Sequence, residues 1–153
     1  MPMKNITKEK AKHLINKHKT RDPFKIAEGE NIIIYFEPLG SINGYYSKYA
    51  RQKFIHINNN IDEHSQRFIC AHELGHAVLH PGSSTPFLRA HTFQSVSKLE
   101  RQANMFAAEL LIDDGGILEQ YVSECITIEQ LACYYCVPVE LITYKFYDEI
   151  RGM

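Results

Sequence analysis

The spacing of apolar and polar residues predicts helices at both ends of this chain and a short β region between them. Thr7 suits a helix N-cap, and the apolar residues at positions 11, 14 and 15 then repeat at helical spacing towards Lys19. Asp22-Pro23 and Gly29 have the residue types that start and stop a short second helix. The first thirty residues are therefore predicted to be helical.

The β region is predicted from short runs of β-branched and aromatic residues. These runs are 32–36, 38–42 with 45–47 around the turn dipeptide Asn43-Gly44, and 54–57. Parallel strands need long crossover connections, and the gaps between these runs are short. We therefore expect a small antiparallel sheet of about three strands.

The second half of the chain is predicted to be helical. A helix is expected from about 62 to 79, where Pro81-Gly82 stops it, and another from about 97 to 112. Thr127 and Gln130 form a capping-box pattern for a helix reaching Tyr135, and Pro138 suits the start of the last one. With five to six helices and no linker, the chain is predicted to be one α+β domain over 1–153, with 127–150 as a helical pair packed on it.

Composition narrows the class of protein. Of the 153 residues, 44% are hydrophobic and 23% are charged, which is typical of a globular protein. No run approaches the roughly 18 apolar residues of a membrane span, and the first residues lack a signal sequence, so we expect a cytoplasmic protein without membrane contact. A net charge of −1 gives no general attraction for nucleic acid. The basic stretch 4–21 is interpreted as a solvated helix face, with contact to nucleic acid or an acidic partner as the alternative.

The four cysteines are expected to be reduced, because the chain shows no secretory context. Cys133 and Cys136 have the spacing of a redox or zinc pair, but no second pair lies nearby to complete a structural zinc site. Packing in the core is the favoured interpretation, since free cysteines are usually buried.

The segment His72-Glu73-Leu74-Gly75-His76 is an H-E-x-x-H motif within an apolar helical run. Residues four apart lie on one face of a helix, so both imidazoles can bind one zinc ion while Glu73 faces a water molecule. Buried imidazoles and a buried carboxylate need partners, and a metal satisfies all three. The motif predicts a metalloprotease with Glu73 as general base and acid.

A catalytic zinc usually has a third protein ligand, which we expect downstream. His80 lies too far along the same helix, and Glu109 lies on the opposite face of its helix from Glu100. Glu100 is the favoured ligand and His91 the alternative. Asn104, one turn after Glu100, can accept the distal N–H of His72 or His76.

These two segments together resemble the ImmA/IrrE family of metallo-endopeptidases. The resemblance rests on the motif from His72 to His80 and on the segment 100–111, E-R-Q-A-N-M-F-A-A-E-L-L. It implies a zincin-like fold, with zinc held by His72, His76 and Glu100 between the two helices. It also implies the compact form associated with prophages and mobile elements, and a helix-turn-helix repressor as substrate.

Several functional questions stay open at the level of sequence. His91, Tyr45, Tyr46 and Tyr121 are the candidates for stabilising the oxyanion. A substrate peptide can add to an exposed edge of the sheet.

The alternative function is a noncatalytic, metal-containing module that sequesters a transcriptional regulator. A DNA-binding role for 127–147 has little support, because acidic residues outnumber the single base Lys145 there. The oligomeric state is not encoded in any recognisable pattern.

Overall fold

The structure is a computed structural model that describes residues 2–82, 93–124 and 126–151. In chain order its elements are α1 (Pro2–His18), α2 (Pro23–Gly29), β1 (Ile32–Glu37), β2 (Gly44–Tyr49), β3 (Gln52–Asn58), α3 (Glu63–Leu79), α4 (Phe93–Leu111), α5 (Ile117–Glu124), α6 (Ile128–Tyr135) and α7 (Val139–Arg151). The predicted α+β class is confirmed. Among the described residues, no helix has the length and apolarity needed to cross a membrane.

The sheet is mixed, so the expectation of a wholly antiparallel sheet was wrong. Its strand order is β1-β3-β2, with β2 antiparallel to β3 and β1 parallel to β3. The whole of β2 and its flanking loops, residues 38–51, serves as the connection between the parallel pair. The prediction considered only the short gaps between strands that follow one another in sequence, so it did not include the longer path from β1 to β3.

The predicted hairpin around Asn43-Gly44 was also wrong. The chain reverses at Ala50 instead, in the left-handed conformation with φ of 54°, between β2 and β3. Residues 38–43 form a loop, and the side-chain amide of Asn58 donates to the carbonyls of Gly40 and Ile42 at 3.0 and 2.9 Å. These bonds hold the loop against the end of β3.

Helix α1 begins before its predicted N-cap. Thr7 lies inside the helix with its side chain buried, so it does not cap it. The second helix agrees with its prediction, because Asp22 caps α2 by accepting from the backbone N–H of Phe24 at 2.9 Å and Pro23 is its first residue.

Helices α3 and α4 pack closely, and Gly75 permits the approach. A Cβ atom at this position would lie 3.1 Å from the Ala103 Cα and 3.2 Å from the Phe106 Cβ. Helix α3 starts after the N-cap Asp62 and ends at Leu79, as predicted. Helix α4 starts earlier than predicted, at Phe93.

The C-terminal helices pack on the far side of α4. The capping box of α6 is present as predicted, with Thr127 accepting from the backbone N–H of Gln130. Helix α5 was not predicted. On this side, the Lys145 ammonium of α7 lies 3.0 Å from a carboxylate oxygen of Glu109 on α4. Both side chains are buried.

Candidate metal centre

The geometry of the centre begins with the local structure of α3. Asp62 caps the helix by accepting a 2.9 Å hydrogen bond from the backbone N–H of Ser65. The second half of α3, which carries the motif, is buried together with the apolar residues around it. His72 and His76 are therefore held one turn apart, on a helical face that is shielded from solvent. Glu73 lies beside them and is also buried.

Three side chains converge on one point between α3 and α4. The Nε2 atoms of His72 and His76 are 3.2 Å apart, and the two carboxylate oxygens of Glu100 each lie 3.0 Å from one of them. Within the described ranges, this is the one group of three or more metal-ligating side chains whose ligand atoms all lie within 4.8 Å of one another. The structure thus brings the predicted ligands together, while their role as ligands stays a prediction.

Hydrogen bonds from α4 orient both imidazoles. The Asn104 side-chain oxygen accepts from His72 Nδ1 at 2.7 Å. His80 Nε2 donates to the Gln102 side-chain oxygen at 2.7 Å, so His80 Nδ1 is left to accept from His76 Nδ1 at 3.1 Å. When both rings are neutral with their proton on Nδ1, each Nε2 presents its lone pair to the shared point, as a metal ligand requires.

The charge of Glu100 sets the electrostatics of the group. Burial alone would raise the pKa of its carboxyl, but the hydrogen bonds that His72 and His76 donate when their Nε2 atoms are protonated hold that pKa well below its usual range. Burial likewise acts to lower the pKa of His72, but the hydrogen bond to Glu100 and the charge of Glu73 outweigh it, so the net shift is upward. The ionised Glu100 carboxylate therefore attracts positive charge to this point, either a proton on an imidazole or a metal cation.

The donor set fits a zinc ion. A tetrahedral zinc with ligands at about 2.1 Å separates neighbouring ligand atoms by about 3.4 Å. The 3.2 Å separation of the two Nε2 atoms is close to that value, and each Nε2 lies 3.0 Å from one of the two carboxylate oxygens of Glu100. Two neutral imidazoles and one carboxylate are also a usual ligand set of catalytic zinc, with one position left for water.

The group opens onto a cavity of about 360 Å³. Its floor is α3, with Phe68, Ile69, His72 and Glu73, and one wall is α4, with Glu100 and Asn104. Residues 41–44, which are the end of the loop 38–43 and the first residue of β2, form the other wall. Glu73 therefore lines the same space as two of the three converging side chains.

The other candidates from the sequence do not reach this cavity or lie outside the described residues. Glu109 points to the opposite side of α4, where it pairs with Lys145. Tyr45 lies on the outer face of the sheet and stacks on His56 at a ring distance of 4.2 Å. The buried Tyr46 hydroxyl donates to the Pro81 carbonyl at 2.8 Å. His91 and the side chain of Tyr121 lie outside the described residues.

Sequence reasoning missed two parts of the site. It did not single out Gln102, although that residue lies two positions after Glu100 and binds His80. It also assigned residues 41–44 to a hairpin, whereas they form a wall of the cavity. The spacing gave no signal for Gln102, because residues two apart on a helix do not face the same side, and only the folded chain brings residues 41–44 to the metal centre.

Comparisons with known proteins agree with this geometry. The family model described as the IrrE N-terminal-like domain, a family of peptidases, matches residues 27–147. The chain is 39% identical to the uncharacterized immunity region protein 2 of Bacillus phage phi105, covering 96% of this chain and 93% of that protein. It is 36% identical to the metallopeptidase ImmA of Bacillus subtilis strain 168, covering 90% of this chain and 82% of that protein. The chain therefore belongs to the ImmA/IrrE family of metallopeptidases.

Proposed function

We propose that the protein is a zinc-dependent endopeptidase that acts in the cytoplasm and cuts a helix-turn-helix repressor at a specific site, relieving repression of a mobile element or stress operon. The observation that carries the proposal is the convergence of His72, His76 and Glu100 on one point that opens, beside Glu73, onto a cavity. The names of the two relatives, an immunity region protein and a metallopeptidase, support a substrate connected with phage or element immunity.

In this proposal, His72, His76 and Glu100 hold the zinc ion. The ion lowers the pKa of water and polarises the scissile carbonyl when it is bound. Asn104 and His80 keep the imidazoles in the orientation that ligation needs. The Nδ1 atoms of His72 and His76 are engaged in these hydrogen bonds, so the Nε2 atoms are the ones available to the ion.

Glu73 is the proposed general base and acid. Its carboxylate takes a proton from the attacking water and delivers it to the amine that leaves as the peptide bond breaks. Its position on the cavity wall, one residue from His72, places it next to the reacting groups. Its burial keeps bulk water from competing for the proton.

A noncatalytic module that sequesters a regulator is the alternative function. A closed site with four protein ligands would favour it, because structural zinc normally has no open position. The described residues offer three converging donors and an adjoining cavity, which favours catalysis.

The experiment is incubation of zinc-loaded protein, with and without a chelator, with any helix-turn-helix repressor that is encoded next to its gene. We expect chelator-sensitive cutting at one site, and a loss of cutting by at least 100-fold in Glu73→Gln with zinc content unchanged. Glu63→Gln is the matched control, since Glu63 is an exposed residue in the first turn of the same helix. Wild-type rates of cutting by the Glu73 variant would contradict the assignment. Tight repressor binding without any cutting would favour the sequestering module.

A further inference from the structure

A second cavity, of about 350 Å³, adjoins the metal-centre cavity. It lies between the N-terminal half of α3 and the turn that joins α6 to α7. Its lining residues are His64, Ser65, Phe68, Ala132, Cys133, Cys136, Val137 and Pro138. The two cysteines were expected to pack in the core, but both are exposed, whereas Cys70 is buried as expected. The thiols therefore belong to the surface of this cavity.

Phe68 connects the two cavities, because it lines both of them. It lies one helical turn before His72, and the centroids of the two rings are 5.9 Å apart. One turn of helix is about 5.4 Å, while an extended peptide advances about 3.3 Å per residue. The edge of the second cavity at Phe68 is thus about one or two extended peptide residues away from His72.

The residues that line the second cavity determine which kind of side chain can bind in it. Apolar side chains come from Phe68, Ala132, Val137 and Pro138, and reduced cysteines behave as small hydrophobic groups. No Asp, Glu, Lys or Arg is among the described residues that line it. Apart from the polar groups of His64 and Ser65, the lining offers a charged side chain no oppositely charged Asp, Glu, Lys or Arg in exchange for its hydration, whereas an apolar side chain would gain from burial.

We propose that this cavity is the specificity pocket of the peptidase, and that it receives an apolar side chain such as Leu, Met or Phe from a residue next to the scissile bond. The inference rests on the proposed function, and it adds the class of sequence that is cut. Cys133 on α6 is the specificity-determining residue that can be changed with least disturbance, because its side chain is exposed.

A second metal site is not the explanation for His64, Cys133 and Cys136. Among the residues that the structure describes, no group containing them brings three ligand atoms within 4.8 Å. The cavity is therefore better suited to an uncharged organic group than to an ion.

The test is cleavage of a mixed peptide library, with products identified by mass spectrometry. We expect wild-type protein to favour apolar residues at one position beside the scissile bond by about 10- to 200-fold over polar ones. Cys133→Glu should lose that preference and accept Lys or Arg at the same position. Tyr134→Glu is the matched control, since Tyr134 is 70% exposed on the same helix but lines a different cavity, and its preference should match that of wild type.

A second measurement separates this inference from the proposed function. Apolar peptides carrying a photoreactive leucine are cross-linked to the zinc-loaded Glu73→Gln variant, which requires binding but no cleavage. Labelling of Phe68 or of residues 132–138 supports the pocket, even if wild-type protein cuts no peptide and the proposed function fails. The inference is overturned if labelling falls elsewhere, or if the cleavage preferences of wild type and Cys133→Glu coincide. A library cut by wild type without apolar preference overturns it while leaving the peptidase assignment intact.

Discussion

Replacing Lys145 with methionine should be one of the most destabilising single changes in this protein. The Lys145 ammonium is 3.0 Å from Glu109 and 2.6 Å from Asp114, and the residue is only 4% exposed. Glu109 is 1% exposed, so without Lys145 its carboxylate would remain buried. Among the side chains that the structure describes, Lys8 and Lys12 also place ammonium groups near it, each 4.0 Å away at the edge of ion-pair distance.

The magnitude follows from this burial. Breaking a buried ion pair by removing one partner costs about 3–5 kcal/mol, because the other charge is left uncompensated. Removing the charge of Glu109 instead, with Glu109→Gln, should cost less, about 1–3 kcal/mol, because Lys145 keeps its bond to Asp114. The double variant should cost less than the sum of the two single variants.

The assay is urea unfolding followed by circular dichroism, with the free energy of unfolding compared at equal slopes. Lys12→Met is the matched control, because the Lys12 side chain is 52% exposed and its loss should cost less than about 1 kcal/mol. Zinc affinity of the folded Lys145→Met variant should be unchanged, since Glu109 and Glu100 lie on opposite sides of α4. A loss below about 1 kcal/mol for Lys145→Met would refute the view of a buried pair that needs both partners.

Three further predictions test the metal centre and the C-terminal contacts. Asn104→Leu should weaken zinc binding by about 10- to 100-fold by competition titration, because His72 loses the acceptor that orients it; equal affinity would show that the bond is dispensable. Gly75→Ala gains about 1 kcal/mol of helix propensity but overpacks the contact between α3 and α4 by about 1–3 kcal/mol, so a higher melting temperature than wild type would contradict the close approach. The hydrogen bond from Lys145 lowers the pKa of Asp114 below its ordinary 3.8, so the stability it contributes is present above that pH and is lost as pH falls below it. Asp114→Asn should therefore lower the free energy of unfolding by under about 1 kcal/mol at pH 7, since Asp114 is 58% exposed. The difference from wild type should shrink in unfolding curves below pH 3.8. A difference that grows on acidification would contradict the predicted pH dependence.

The sequence by itself determined the features that depend on near neighbours along the chain. The period of an α-helix places His72 and His76 on one face and Asn104 one turn after Glu100, whatever the rest of the fold does. Capping at Asp22, Asp62 and Thr127 is equally local, and these helix starts agree with the prediction. The α+β class follows from the same periodic patterns.

Only the tertiary structure decided which distant segments meet. The parallel pairing of β1 with β3, the loop 41–44 on the cavity wall and the exposure of Cys133 and Cys136 all depend on contacts between residues far apart in sequence. Periodicity shows which face of an element is apolar, but not which element covers that face. The hydrophobic effect is non-directional, so many apolar surfaces could bury the face equally well. The same reason explains why the sequence could predict that Asn104 bonds an imidazole, while only the packing of α3 on α4 decided that this imidazole is His72 rather than His76.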